Sequence, residues 1–222
     1  MRTFPFLQNE MVTGVGSGLL QEHWEDLNGP DNYMRSATLK ALVIHTADEA
    51  GSYTGPDYSF GWGLMNTETA ALLISEDQTL NVIDELSLSN GNTFTREVVA
   101  KGTEPLKVTI VWTDPAGTPV SAQLDPITPM LVNDLDLRIT EGSNIYYPWK
   151  LDRDNPSNAA TNNTENNVDN VEVVSIANPS ATTYTITIDH DGTLSSPQNF
   201  SLIVTGIDAA PKTWTGAVST AW

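Results

Sequence analysis

The spacing of apolar residues changes near residue 80. Before it, apolar positions recur every three or four residues; after it, mostly every two. Val12, Val15, Leu19, His23 and Leu27 predict a helix over Met11–Leu27. Gly14, Gly16 and Gly18 each cost an isolated helix roughly 1 kcal/mol relative to Ala, so this helix needs close neighbours on its N-terminal half. Asn28-Gly29-Pro30 stops it. Ser36 reads as the cap of a second helix, Ala37 to Ala47, with Leu39, Leu42, Val43 and Thr46 on one face. The string Phe60-Gly61-Trp62-Gly63-Leu64-Met65-Asn66 reads as a packed corner. Its glycines allow a tight bend, and Phe60, Trp62, Leu64 and Met65 supply apolar bulk. Asn66 then caps a third helix, Thr67 to Ile74.

From Glu85 onward the pattern predicts strands. Leu86 and Leu88 alternate with Ser, and Thr93–Thr95 and Val98-Val99 follow an Asn-Gly turn. Leu106–Trp112 is the clearest strand. Leu131–Thr140 places Leu131, Asn133, Leu135, Leu137 and Ile139 on one face and Val132, Asp134, Asp136 and Arg138 on the other. Ile145–Trp149, Val168–Ile176, Thr183–Asp189 and Asn199–Thr205 complete the set. Short strands divided by polar turns predict an antiparallel sandwich or barrel. The Asn158–Asn167 run, poor in apolar residues, reads as a flexible loop.

Charge narrows the function. Ten basic residues face 28 acidic ones in 222, a net charge of -18. This argues against nucleic acid, whose binding rests on cationic contacts to phosphate, and against an anionic membrane surface. No run approaches the ~20 apolar residues that span a bilayer, and Phe4–Leu7 is too short for a signal-peptide core. Cysteine is absent, which removes disulfides, thiolate catalysis and Cys-zinc sites.

Three segments resemble subtilisin-like serine peptidases. Met11–Leu20 is similar to the helix that follows that family's catalytic serine. Ser36–Ala47 is similar to its next helix, and Ser59–Asn66 with the following alanines to the corner that closes the catalytic domain. The strings Val111–Pro115, Leu131–Leu137, Asn170–Glu172, Thr183–Ile186 and Gln198–Val204 resemble the C-terminal β-domain of secreted bacterial subtilases, a jelly-roll-like sandwich related to the P domain of kexin-type convertases. The resemblance implies an α+β chain: residues 1–78 a helical remnant of the catalytic domain, 79–208 a P-domain-like antiparallel β-sandwich, and 209–222 a linker or the start of a further module.

The chain departs from the family where the chemistry lies. Phe6 stands at the nucleophile's place, and the acid and histidine of the triad belong to chain upstream of Met1. A Ser-His-Asp mechanism needs all three within hydrogen-bond reach, so no residue inherits a catalytic role. His23 and His45 read as packed helix histidines, and Asp189-His190-Asp191-Gly192 as turn chemistry.

The acidic spacings suit calcium, which takes six to eight oxygens. Asp134 and Asp136 share a strand face; Asp152, Asp154 and Asp169 lie in oxygen-rich loops. The five are candidate Ca²⁺ ligands, supported by the calcium of related β-domains, against solvated turn carboxylates. The expected role is the non-catalytic portion of a secreted or cell-surface peptidase, its β-domain stabilising or orienting a missing catalytic domain. Expected partners are that domain and a second copy through Met11–Leu27. The alternative is an independent carbohydrate- or protein-binding module, with Trp112, Tyr146, Tyr147 and Trp149 as a platform if one sheet face exposes them.

Overall fold

The computed structural model describes residues 5–124 and 128–208, with side chains from residue 14 onward. Three helices, α1 (Pro5–Asn28), α2 (Ser36–His45) and α3 (Thr67–Ser75), precede eight strands. These are β1 (Val82–Leu88), β2 (Phe94–Val99), β3 (Leu106–Trp112), β4 (Asp134–Glu141), β5 (Asn144–Tyr146), β6 (Val171–Ile176), β7 (Thr183–Asp191) and β8 (Gln198–Thr205). The chain is α+β, with the strands in a sandwich of two antiparallel sheets.

The pairing follows one long hairpin. β1 pairs β8, β2 pairs β7, β3 pairs β6 and β4 pairs β5, all antiparallel. Rolling that hairpin up adds β3 to β8 and β4 to β7. Sheet one then runs β1-β8-β3-β6 and sheet two β2-β7-β4-β5, the strand order of a jelly roll.

Alternation along each strand sorts the side chains. Leu106, Val108, Ile110 and Trp112 of β3 enter the space between the sheets, with Leu135, Leu137 and Ile139 of β4, Tyr184, Ile186 and Ile188 of β7 and Phe200, Leu202 and Val204 of β8. The alternate residues of sheet one form a second core outside it. Ile83, Val111, Val171, Val173 and Ile203 meet Ala37, Ala41 and Leu42 of α2, Leu73 and Ile74 of α3, and Leu20 and Trp24 of α1. The helical layer therefore packs on the β-sandwich. Polar groups in that layer are matched: Thr38 Oγ1 donates to Glu85 Oε1 and lies 2.8 Å from Ser201 Oγ. His45 sits between the hydroxyls of Thr109 and Thr205, at 2.8 and 2.9 Å.

Several local expectations change. α1 begins at Pro5, six residues before the predicted start. Phe6 thus falls in its first turn; its side chain and residues 209–222 lie outside the described residues. Ser36 is inside α2 rather than capping it: Arg35 holds the cap position without a side-chain bond. Asn66 does cap α3, accepting from Thr69 N at 2.9 Å. The corner bends as the glycines require. A Cβ on Gly63, at φ 106, would lie 2.0 Å from the Asp48 carbonyl oxygen. Its apolar bulk is split, however: Trp62 and Met65 pack on the second core, while Phe60 and Leu64 are exposed. The Asn158–Asn167 run is anchored, not loose, by a Lys150–Thr161 bridge and by buried Ala160 and Asn166. Among the described residues no helix is long and apolar enough to cross a membrane.

Candidate metal centre

The site forms where β4 loses its second neighbour. β5 pairs only with Ile139, Thr140 and Glu141, so the first half of β4 has a free edge. The Leu137 N–H at that edge donates to Glu172 Oε2 at 2.6 Å, from β6 of the other sheet. The approach to β4 is pinned. Asp114 accepts the Val132 and Asn133 N–H groups, both at 2.8 Å. The Asn133 side chain donates to Gln198 Oε1 at 2.7 Å, and its carbonyl accepts from Trp112 Nε1 at 3.0 Å.

Register then gathers charge. Asp134 lies directly opposite Asp191, and Asp136 opposite Asp189. Like charges facing across a strand pair repel. Asp189 is neutralised by a bidentate pair with Arg138. Burial adds a second cost: Asp136 is 3% exposed and Glu172 is fully buried. Three buried carboxylate oxygens, Asp134 Oδ1, Asp136 Oδ1 and Glu172 Oε1, have no hydrogen-bond partner. Such groups are rare and costly in a folded chain.

The protonation behaviour agrees. Burial pushes Asp136 up to about 7, reinforced by Asp134, Glu165, Asp191 and Asp189. Glu172 is raised well above the usual range, first by burial, against the Leu137 N–H, then by Asp136, Asp134 and Glu165. Asp134 is raised by burial and by Asp191, Glu165 and Asp114, against a hydrogen bond from Asn167. Unpaired hard oxygens are the donor set that Ca²⁺ prefers. Among the described residues no three acidic or histidine side chains already converge as a finished metal cage. The orphaned oxygens are the informative feature.

The five sequence candidates separate. Asp134 and Asp136 belong to the cluster. Asp152 does not: it closes a turn, accepting from Asp154 N, Asn155 N and Asn158 Nδ2, the last at 2.9 Å. Those bonds, led by that of Asn158, lower its pKa. Asp154 is exposed on the same turn. Asp169 accepts from Asn166 Nδ2 at 3.0 Å and borders a cleft beside Lys40. None of the three is among the principal charges acting on Asp134, Asp136 or Glu172. The missed residue is Glu172. Its signal was parity: it shares a strand face with Val174 and Ile176, an acid at a core-facing place.

The proposed aromatic platform does not form. Trp112 is fully buried between the sheets, and Tyr146 packs there against Tyr184 at 6.3 Å. Trp149 joins the other core, and Tyr147 is half-buried. The histidines are structural in their contacts. His23 Nε2 lies 2.8 Å from Ser75 Oγ, and His190 Nε2 accepts the Gly91 N–H at 2.7 Å.

No family model matches the chain, and no curated protein is similar to it. Among solved structures, a mitogen from Yersinia pseudotuberculosis matches with a TM-score of 0.29 at 13% identity, over 56% of this chain and 84% of that one. A likeness at that level carries no argument about either fold or function.

Proposed function

We propose that this chain is a non-catalytic support module whose β-sandwich is stapled by Ca²⁺ between β4 and β6. Asp134, Asp136 and Glu172 would hold the ion, with Glu165 and Asp191 adding negative charge around it. The observation that carries this reading is the set of three orphaned buried carboxylate oxygens at one free strand edge. A bound divalent cation would satisfy them and tie the two sheets together. By the resemblance of its segments, the module would serve a subtilisin-like peptidase, stabilising or orienting a catalytic domain that this chain lacks.

Calorimetric titration with Ca²⁺ is the direct test, followed by thermal unfolding. Saturable heat and a rise in Tm are expected, since a ligand of the native state stabilises by mass action. Glu172→Gln should abolish both responses while raising the Tm of the metal-free protein at neutral pH, because it removes an acid whose ionisation the buried site opposes. Neither heat nor a Tm shift in the parent chain would refute the staple. The peptidase connection is tested separately. A catalytic domain encoded in the same reading frame should keep its activity longer at elevated temperature with this chain bound.

A further inference from the structure

Seven of the described cations divide into two groups. Arg35, Arg96, Lys101 and Arg138 each pair with a carboxylate. Lys40, Lys107 and Lys150 form no ion pair among the described residues, although acids outnumber bases 28 to 10. Their ammonium groups donate instead to Asn170 Oδ1 at 3.0 Å, to the His45 carbonyl at 2.6 Å, and to Thr164 Oγ1 at 2.5 Å. All three line one region of the surface. Trp62 and Trp149 wall two adjacent hollows there, one of ≈ 240 Å³ with Lys107 and Glu49 and one of ≈ 210 Å³ with Lys40, Lys150 and Asp169, so the three ammonium groups outnumber the two carboxylates of the lining. In so acidic a protein, unpaired lysines would repel least by dispersing or by pairing. Their gathering at a tryptophan-walled cleft marks a place for an anion with an apolar body.

The cleft also borders a strand edge. β6 is the last strand of sheet one. Trp112 N donates to Asn170 O, and this fixes which main-chain groups of β6 face β3. By that parity Val171, Val173 and Ser175 face outward. Trp149 N takes the Val173 carbonyl at 2.9 Å. The Ser175 N–H and C=O have no partner among the described residues, and Ser175 lines the larger hollow. A free strand edge beside side-chain pockets is the arrangement that binds an extended peptide by strand addition.

We propose that the Trp62–Trp149 cleft binds an extended acidic peptide segment of a partner protein. Its main chain pairs with Ser175 at the edge of β6. Two carboxylates on one face of the segment, about 7 Å apart, reach Lys107 in one hollow and Lys40 with Lys150 in the other. Burial lowers the pKa of Lys40 and Lys107, against Asp169 and Glu49 respectively, so a charge brought from outside would restore their preference for the ionised form. A carboxylated sugar is the competing occupant. Gly55 packs on Trp149, where a Cβ would lie 2.8 Å from Cδ2, and a sugar has no main chain to pair with the Ser175 edge.

The test is a tryptophan-fluorescence titration of the whole chain with acetyl-Thr-Glu-Val-Glu-Thr-amide, its Glu→Gln analogue and tri-galacturonate. Saturable binding of the acidic peptide is expected, weaker by tenfold or more for the Gln analogue, and weakened by salt. Lys40→Gln/Lys150→Gln should reduce affinity at least tenfold with Tm unchanged; Lys40→Gln alone, at an exposed position, serves if the double variant does not fold. Hydrogen exchange should show the Ser175 amide protected on binding. Equal affinity for the two peptides, absence of saturation, or tri-galacturonate binding without Ser175 protection would each overturn the proposal.

Discussion

The two sheets of this sandwich have the same number of strands and different surroundings. Sheet one is covered twice, by sheet two within and by the helices without. Its central strand β3 accordingly reads as a near-continuous apolar run, Leu106–Trp112, where only Lys107 is not buried. Sheet two is covered once. Along β7, buried Tyr184, Ile186 and Ile188 alternate with partly exposed Thr185, Thr187 and Asp189. Two-sided burial selects apolar residues at both parities; one-sided burial leaves the outer parity free for polar groups. The outer face of sheet two is consequently where Asp134, Asp136, Asp189 and Asp191 could accumulate. On the outer face of sheet one each charge is held by groups of the helical layer: Glu85 by Thr38 and Arg35, and Lys107 by the His45 carbonyl.

The largest effect should come from testing that double cover. Leu202 and Ile203 are neighbours on β8, both fully buried, one facing sheet two and the other the helices. Leu202→Ala and Ile203→Ala should each cost about 2–5 kcal/mol in urea unfolding. Thr95→Ala, on the exposed face of edge strand β2, should change stability by under about 0.5 kcal/mol. An Ile203→Ala cost no larger than that of Thr95→Ala would mean that the helical layer does not pack on the sheet.

Much of this contrast was legible in the chain. Leu106–Trp112 was bounded correctly at both ends because an apolar run meets Pro105 on one side and Asp114-Pro115 on the other. The faces of β4 followed from simple alternation, and the Asn66 cap from its residue type. What stayed hidden depended on partners far away. The opposition of Asp134 to Asp191 is a matter of register across 57 residues, and periodicity says nothing about register. Glu172 hid within Val171–Ile176 because a single acid in a strand looks like an outward-facing residue. The exposure of Phe60 and Leu64 could not be read from apolar type alone, and the lysines of the Trp62–Trp149 cleft come from α2, β3 and the loop after β5.

A smaller effect probes how dry the helix-covered face is. His45 lies on it, buried between Thr109 and Thr205. Burial first, then Lys107, lowers its pKa well below 6.5, so the folded state holds it neutral. Below pH 6.5 the unfolded chain takes up a proton that the fold refuses. Stability from this group is thus present above 6.5 and lost as pH falls, by up to about 1.4 kcal/mol per unit. Asp77, pushed up to about 6 by burial, and Asp136, pushed up to about 7, have the opposite sign, as do the raised Asp134 and Glu172, so the parent profile mixes all of these groups. The difference between parent and His45→Gln isolates the histidine. That difference should be constant above neutral pH and shift in favour of the variant toward pH 5. A flat difference would show that the face is wet.

The smallest effect belongs to the uncovered face of sheet two, and its asymmetry matters more than its size. Arg138 and Asp189 form a bidentate pair with both side chains about a quarter exposed, 27% and 28%. Pairs that remain partly solvated contribute about 0.2–1 kcal/mol in double-mutant cycles, and the coupling here should fall in that range. The two single variants should nevertheless differ. Asp189→Asn removes a carboxylate that faces Asp136 across the strands, so relief of repulsion offsets the lost pair. Arg138→Gln leaves Asp189 unpaired beside Asp136 and should be the more damaging change in the absence of Ca²⁺. With Ca²⁺ in excess the gap should narrow, because an ion at Asp136 shields the same repulsion. Equal single-variant costs, unchanged by Ca²⁺, would mean that the carboxylates on this face do not act on one another.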